Sequence, residues 1–380
     1  MMDLRQKVEE LKSLYLDFWK AICRMETPTT DKNALNKQAD FIENFCKERG
    51  FGVKRNQYQK AGDTLVVAME GTAQKAPVAL MAHMDTVHAP GAFGESVVRE
   101  ENGVLYGPGV FDCKGGIAMS LLTMEALRES GAAYGPVKLI LNSDEENGSL
   151  IGKEAAEFIQ KEAQGACAVF NAEAGCPEFM TVGRKGIVAA EIQVNGIPGH
   201  AGNAYFECAS AIREAAYKII ALETQSDDNI TYNCATIQGG TTRNAVPGEC
   251  RIVVDIRFRN EAQQKQAMEV LDTITRKNYV EGCHSTWRIT KVRPAMECTQ
   301  GNMELFRLVQ QTADALGLPH LESQVRGGGS DSAYTVQIGI PTVCSMGPVG
   351  RNEHTVREEA DIATLSQRAL LLAECIVKVG

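Results

Sequence analysis

Apolar residues near the start of the chain recur at steps of three and four: Leu4, Val8, Leu11, Leu14, Tyr15, Phe18 and Ile22. That spacing gathers them on one stripe of an amphipathic helix over residues 1–22. Further on, DTLVVAME (63–70) and PVALMAHM (77–84) read as strands. The second is an unbroken apolar run, suited to a sheet covered on both faces. A helix from Gly115 to about Arg128, a strand over 137–143, a helix from Ile151 to Lys161 and a strand over 167–173 follow. Short apolar runs alternating with helical stretches predict an α/β layer with a mainly parallel, mixed sheet covered by helices.

After Gly186 the texture changes. IVAAEIQVNG alternates like a half-exposed strand, Ala204–Leu222 reads as a helix, and NITYNCATIQGG and ECRIVVDIRFRN read as paired strands. A helix over Glu261–Lys277 and the strand-like STWRITKV complete a β-α-β-β-α-β order, the pattern of a small α+β, ferredoxin-like unit. From Arg293 the α/β texture returns, with a helix near 301–316, the glycine-rich turn RGGGSDS, a strand in IPTVCSM and a last helix over 362–378. The simplest organisation is one domain built from residues 1–183 and 293–380, interrupted by a lid at 184–292. No internal repeat or low-complexity stretch appears.

Composition narrows the function classes. With 23% charged and 44% hydrophobic residues, the 380-residue chain has ample material for a core and is not disordered as a whole. Its charge, 39 − 48 = −9, argues against a nucleic-acid partner, because binding phosphates needs a basic face. No run approaches the eighteen or so apolar residues of a membrane span. Twelve cysteines scattered from Cys23 to Cys375 without a C-x-x-C pair suit a reducing compartment, and the charged first helix does not read as a secretory leader. The expected location is the cytoplasm.

Chemistry concentrates at the predicted strand ends. Of six histidines, His83 ends a buried strand in LMAHMDTV, where open α/β sheets bind ligands. Asp85, two residues on, lies on the same side of an extended chain and can fix the imidazole tautomer. By itself an H-x-D pair reads equally well as a buried histidine satisfied by a local carboxylate. Acidic residues gather at the other strand ends, however: Asp144, Glu145 and Glu146 in NSDEENGS, Glu173 in FNAEAG, and Asp112 in YGPGVFDCKGG. Such a stack repels itself unless cations lie between its members. A mixed set of imidazoles and carboxylates, with His354 of EHTV as a second imidazole, suits two divalent ions roughly 3.5–4 Å apart.

LMAHMDTV, YGPGVFDCKGG, NSDEENGS, PGHAG, GGTTRNAVP, RGGGSDSAY and NEHTV, in this order, resemble the dizinc aminoacylase and glutamate carboxypeptidase family. That family also holds succinyl-diaminopimelate desuccinylase, acetylornithine deacetylase and tripeptidases. The resemblance spans nearly the whole chain and is nearest to the glutamate carboxypeptidase branch. It implies a zinc-exopeptidase-like fold in which Asp112 bridges two divalent ions, His83 and Glu173 complete one, and Glu146 and His354 the other. Zinc is the expected metal, with cobalt and manganese also suited to such ligands. It further implies that Glu145 is the general base and that His200 reaches the site from a partner subunit, so that a homodimer forms through the lid. Asn244 and Arg257 would hold the substrate carboxylate, with Gly328 and Ser330 close to it. Read without the family, His200 is a surface histidine and Arg257 an ion-paired strand residue.

A dinucleotide fingerprint fails at GPGVFD, whose third glycine position is Asp112, and no G-x-S-x-G marks a serine hydrolase. Cys113 reads as a packed thiol rather than a nucleophile. Three readings remain: a carboxypeptidase-like hydrolase acting on a small peptide, an N-acyl amino acid deacylase, and a binding protein on the same scaffold. The last has no need of Glu145. The residues leave the accepted side chain or acyl group open.

Overall fold

The computed structural model describes residues 4–148, 151 and 153–379. The chain divides into two compact units. One holds the chain up to Val182, Cys298–Val325 and the stretch from Ser330 onward; the other holds Gly183–Glu297 and Arg326–Gly329.

In the first unit a six-stranded sheet runs in the order Gly52–Asn56, Thr64–Met69, Val137–Asn142, Val78–His83, Ala168–Asn171, Thr342–Val343. The last four strands are mutually parallel and the first two join antiparallel. Every residue of Val78–His83 is buried because both faces of the sheet are covered. Leu80 and Ala82 enter a core with Trp19, Ile117 and Leu371, from the helices Leu4–Arg24, Lys114–Ser130 and Ala363–Lys378. Ala79 and Met81 enter a second core with Phe158 and Ile159 of the helix Lys153–Ala163. Strict alternation along one strand thus feeds two cores, which is why Val78–Ala82 carries no polar position.

The helix Lys114–Ser130 is buried along nearly its whole length. A Cβ on Gly116 would lie 1.9 Å from the carbonyl oxygen of Ala172, so only glycine lets this helix meet the strand end that precedes Glu173.

Most predicted elements stand within a few residues of their expected bounds, and the exceptions have physical causes. The helix expected over Ala204–Leu222 spans Ala211–Glu223. Ser210 caps it by accepting the N–H of Arg213 at 3.3 Å, and a single 3-10 turn, Tyr205–Glu207, occupies the stretch before it. The strand in IPTVCSM shrinks to Thr342–Val343. Leu14 stands exposed at the margin of its helix, whereas Leu4, Val8, Tyr15, Phe18 and Ile22 are buried. The helix Lys32–Glu48, capped by Asp31, and the strand Gly52–Asn56 were not anticipated. Met1–Asp3 of the first helix reading, Ser149 of NSDEENGS and Gly152 of the Ile151–Lys161 helix lie outside the described residues.

In the second unit four antiparallel strands are ordered Thr231–Gly239, Glu249–Phe258, Gly186–Asn195, His284–Arg293. The helices Ala211–Glu223 and Glu261–Arg276 pack against them, giving the β-α-β-β-α-β order. Burial alternates residue by residue along Gly186–Asn195, whose Val188, Ala190, Ile192 and Val194 form the core with Ala215 and Leu271 of those helices.

Candidate active site

The parallel register sets the site. His83 pairs with Asn142, and Met81 with Asn171, so the three strands end at one edge of the sheet. Chain leaving that edge carries Glu145 and Glu146 just after Asn142 and Glu173 just after Asn171, while Asp112 precedes the buried helix Lys114–Ser130. His354 arrives from the other end of the sequence on a turn where its φ is +62°, a region costly for non-glycine residues and frequent at functional sites.

The side chains converge on Asp112. His83 Nε2 lies 3.1 Å from Asp112 Oδ1 and 4.0 Å from Glu173 Oε1. His354 Nε2 lies 3.3 Å from Asp112 Oδ2 and 3.2 Å from Glu146 Oε2. Ligand atoms of His83, Glu145 and Glu173 fall within 4.8 Å of one another, as do those of Asp112, Glu146 and His354. Cys113 also falls in range of His83 and Asp112, but burial pushes its thiol up to about 12, and it accepts the His83 N–H at 3.2 Å.

The backbone carbonyl of Asp85, 3.0 Å from His83 Nδ1, takes the proton of that nitrogen, and the Asp85 carboxylate stands 3.4 Å away. The nearer partner is therefore main chain. The carboxylate instead accepts the N–H groups of Glu145 and Glu146, at 3.2 and 3.1 Å, and the Thr29 hydroxyl at 2.8 Å. With Nδ1 donating, neutral His83 turns the Nε2 lone pair toward carboxylate oxygens. Two acceptors face each other there unless a proton or a metal cation lies between them.

The electrostatics carry the same demand. Burial, with Asp112 and Glu145 beside it, pushes Glu146 up to about 7, and the same influences hold Glu173 well above the carboxylate range. Hydrogen bonds to Asp112 and Glu146 raise His354 to about 11. Burial works against charge on Asp112, yet His354 and His83 keep its carboxyl below the ordinary range. A set that draws protons onto two carboxylates and two imidazoles is short of positive charge, and the mixed nitrogen and oxygen donors suit divalent transition metals.

The other sequence-predicted residues belong to no candidate ligand group among the described residues. In the second unit His200 pairs in register with Ala245, beside Asn244, and both are exposed. His200 Nδ1 accepts the N–H groups of Gly202 and Asn203, so neutral His200 carries its proton on Nε2. Asn244 Oδ1 accepts the Thr242 hydroxyl at 3.0 Å. Arg257 grips Asp255 with Nε and Nη2, at 2.6 and 3.1 Å, and reaches the Gly327 carbonyl at 3.4 Å, beside Gly328. The ion-paired reading of Arg257 thus describes its present contacts. Ser330, in the first unit, is buried and accepts the Ser332 N–H at 3.2 Å. Asn142, which no sequence motif marks, donates its Nδ2–H to Asp331 at 2.6 Å and lines one cavity with His83 and Glu173. Nothing in the spacing of NSDEE against SDSAY marks that pair.

Carboxypeptidase G2 of Pseudomonas is 29% identical over 368 residues, covering 94% of this chain and 88% of the relative. Succinyl-diaminopimelate desuccinylase of Nitrosococcus oceani is 28% identical over 282 residues, covering 70% of this chain and 72% of its own. Among solved structures, aminopeptidase PepT from Bacillus cereus shares the fold with a TM-score of 0.80, at 21% identity and 97% and 98% coverage. No helix among the described residues is long and apolar enough to cross a membrane. The family profile described as peptidase family M20/M25/M40 matches residues 79–378, most of the chain and all six converging side chains. The protein therefore belongs to peptidase family M20/M25/M40 and is a hydrolase of that family.

Proposed function

We propose that this protein is a two-metal hydrolase that cleaves an amide bond next to a free carboxylate, in the manner of a carboxypeptidase. The observation that carries the reading is the pair of imidazoles aimed at the two oxygens of Asp112, His83 at Oδ1 and His354 at Oδ2. In this reading His83, Asp112 and Glu173 hold one divalent ion and Asp112, Glu146 and His354 the other, zinc first, with cobalt and manganese also suited. When bound, such a pair polarises the scissile carbonyl and lowers the pKa of water at the site.

The chain's own groups do the rest. Glu145 takes a proton from the attacking water and returns it to the leaving amine, the work of a carboxylate kept free of the metal. Asp85 holds the N–H groups of Glu145 and Glu146 and so fixes how the two neighbours diverge. His200, whose Nδ1 already accepts two backbone N–H groups, supplies its Nε2 proton to the developing oxyanion of a second copy. Asn244 and Arg257 hold the substrate carboxylate, a planar guanidinium matching two oxygens, and Gly328 and Ser330 flank it.

A homodimer through the second unit is part of this reading. Thr231–Gly239 forms an edge of its sheet, and exposed Ile237 on it is accompanied by exposed Ile212 and Ile220 on the helix Ala211–Glu223. A cytoplasmic location is supported by twelve cysteines that all remain thiols.

The test is metal analysis with a hydrolysis screen. Chelator-stripped protein should be inactive and regain activity with two zinc ions per chain. Peptides ending in glutamate should be cut in preference to N-acetyl or N-succinyl amino acids. The reverse preference would establish a deacylase, as in the desuccinylase relative. Full turnover in the stripped protein would sink the metal reading.

A further inference from the structure

Glu358 lies four residues beyond His354, is buried, and belongs to none of the ligand groups above. Its carboxylate is nonetheless saturated. Oε1 accepts the backbone N–H groups of Phe111 at 2.9 Å and Asp112 at 3.0 Å. Oε2 accepts the N–H of Gly109 at 3.2 Å and His88 Nε2 at 2.7 Å. Three of the four donors belong to the turn that presents Asp112, and Gly109 adopts a φ of +74° within it. The fourth, His88, is buried too and rests edge-on against Phe93. Facing a carboxylate, its Nε2 must be the donor.

We propose that Glu358, with His88 behind it, is the positioning residue for Asp112. It ties the main chain of the bridging aspartate to the segment that carries His354 and so sets how the two reach each other. The inference rests on the reading of Asp112 as the shared metal ligand. Glu358 touches no reacting atom and acts through the turn. Its main chain strengthens the tie: the Glu358 N–H donates to Thr355 O at 3.0 Å, and Gly107 N–H donates to Glu358 O at 3.4 Å. The next residues, Glu359–Asp361, pair with Val104–Tyr106 just before the turn. An amide cannot replace this carboxylate. Glutamine presents N–H groups to one pair of donors, so the Gly109 N–H or those of Phe111 and Asp112 lose their acceptor. Outer groups of this kind set ligand orientation, and their loss costs about 10–100-fold in metal affinity.

The experiment titrates zinc and cobalt into the chelator-stripped full chain by calorimetry, comparing wild type, Glu358→Gln, His88→Phe and Asp112→Asn. Wild type should bind two ions, and Asp112→Asn should lose at least one site; if it binds both as tightly as wild type, the reading of Asp112 fails. Glu358→Gln should bind both ions about 10–100-fold more weakly. Its cobalt absorption bands should shift, and kcat should fall with KM little changed once metal is saturating. His88→Phe should move affinity in the same direction by several-fold, and it decides the question should Glu358→Gln not fold. Wild-type affinity and cobalt bands in a folded Glu358→Gln, or in His88→Phe when the former does not fold, would overturn the proposal while leaving the Asp112 reading intact.

Discussion

The Asp85 carboxylate accepts the backbone N–H of Glu145 at 3.2 Å, although the two residues leave different strands of the sheet. The same carboxylate accepts the Glu146 N–H and the Thr29 hydroxyl, and it is fully buried. Asp85 therefore sets the turn that carries both glutamates, while its backbone carbonyl sets the His83 ring. Asp85→Asn keeps the shape but turns an amide toward N–H donors. Metal affinity and turnover should each fall about 10–100-fold, by zinc titration and steady-state kinetics. Unchanged affinity would leave His83 orientation to the main chain alone.

Glu145→Gln removes a proton acceptor and leaves the atoms of Asp112, Glu146 and Glu173 in place. It should retain near-full metal content while kcat drops by about 10²–10⁴-fold, the share general-base catalysis supplies. Metal content measured on the same preparation separates this outcome from simple loss of ligand. Wild-type turnover would remove Glu145 from the mechanism.

Arg257 divides its guanidinium between Asp255 and the Gly327 carbonyl. Arg257→Ala should raise KM for substrates with a free carboxylate by about 10–100-fold, as expected for one charge-assisted pair, with kcat little changed. The same substrate amidated at that carboxylate should show no such change. A KM shift of equal size for both would assign Arg257 to the architecture of its strand.

The close approach at Gly116 gives a test that concerns stability alone. A methyl group there meets the Ala172 carbonyl, a backbone atom that cannot step aside. Gly116→Ala should lower the unfolding free energy by about 3 kcal/mol in urea denaturation. Because Ala172 precedes Glu173, metal affinity should fall as well. A variant as stable as wild type would mean the helix can move away from the sheet.

Much of this protein was decided by local pattern. The unbroken apolar run before His83 announced a strand buried on both faces, and alternation along Gly186–Asn195 announced one buried on a single face. These signals are legible because side-chain direction in a strand repeats every two residues regardless of what lies opposite. Strand ends rich in acid, at Glu145, Glu146 and Glu173, are visible in the sequence, and their side chains lie close to His83 and His354.

Tertiary structure alone decided what meets what. Asp112 lies between His83 and His354 because a parallel register and a turn held from the far end of the chain bring the three together. The partner of Asn142 is Asp331, and the acceptor for His83 Nδ1 is a main-chain carbonyl; neither follows from spacing. Helix starts also escaped, since Ser210 stops the helix at Ala211 through one side-chain bond that propensity does not see. Contacts between distant segments depend on how cores close, and a one-dimensional pattern records only which faces need covering.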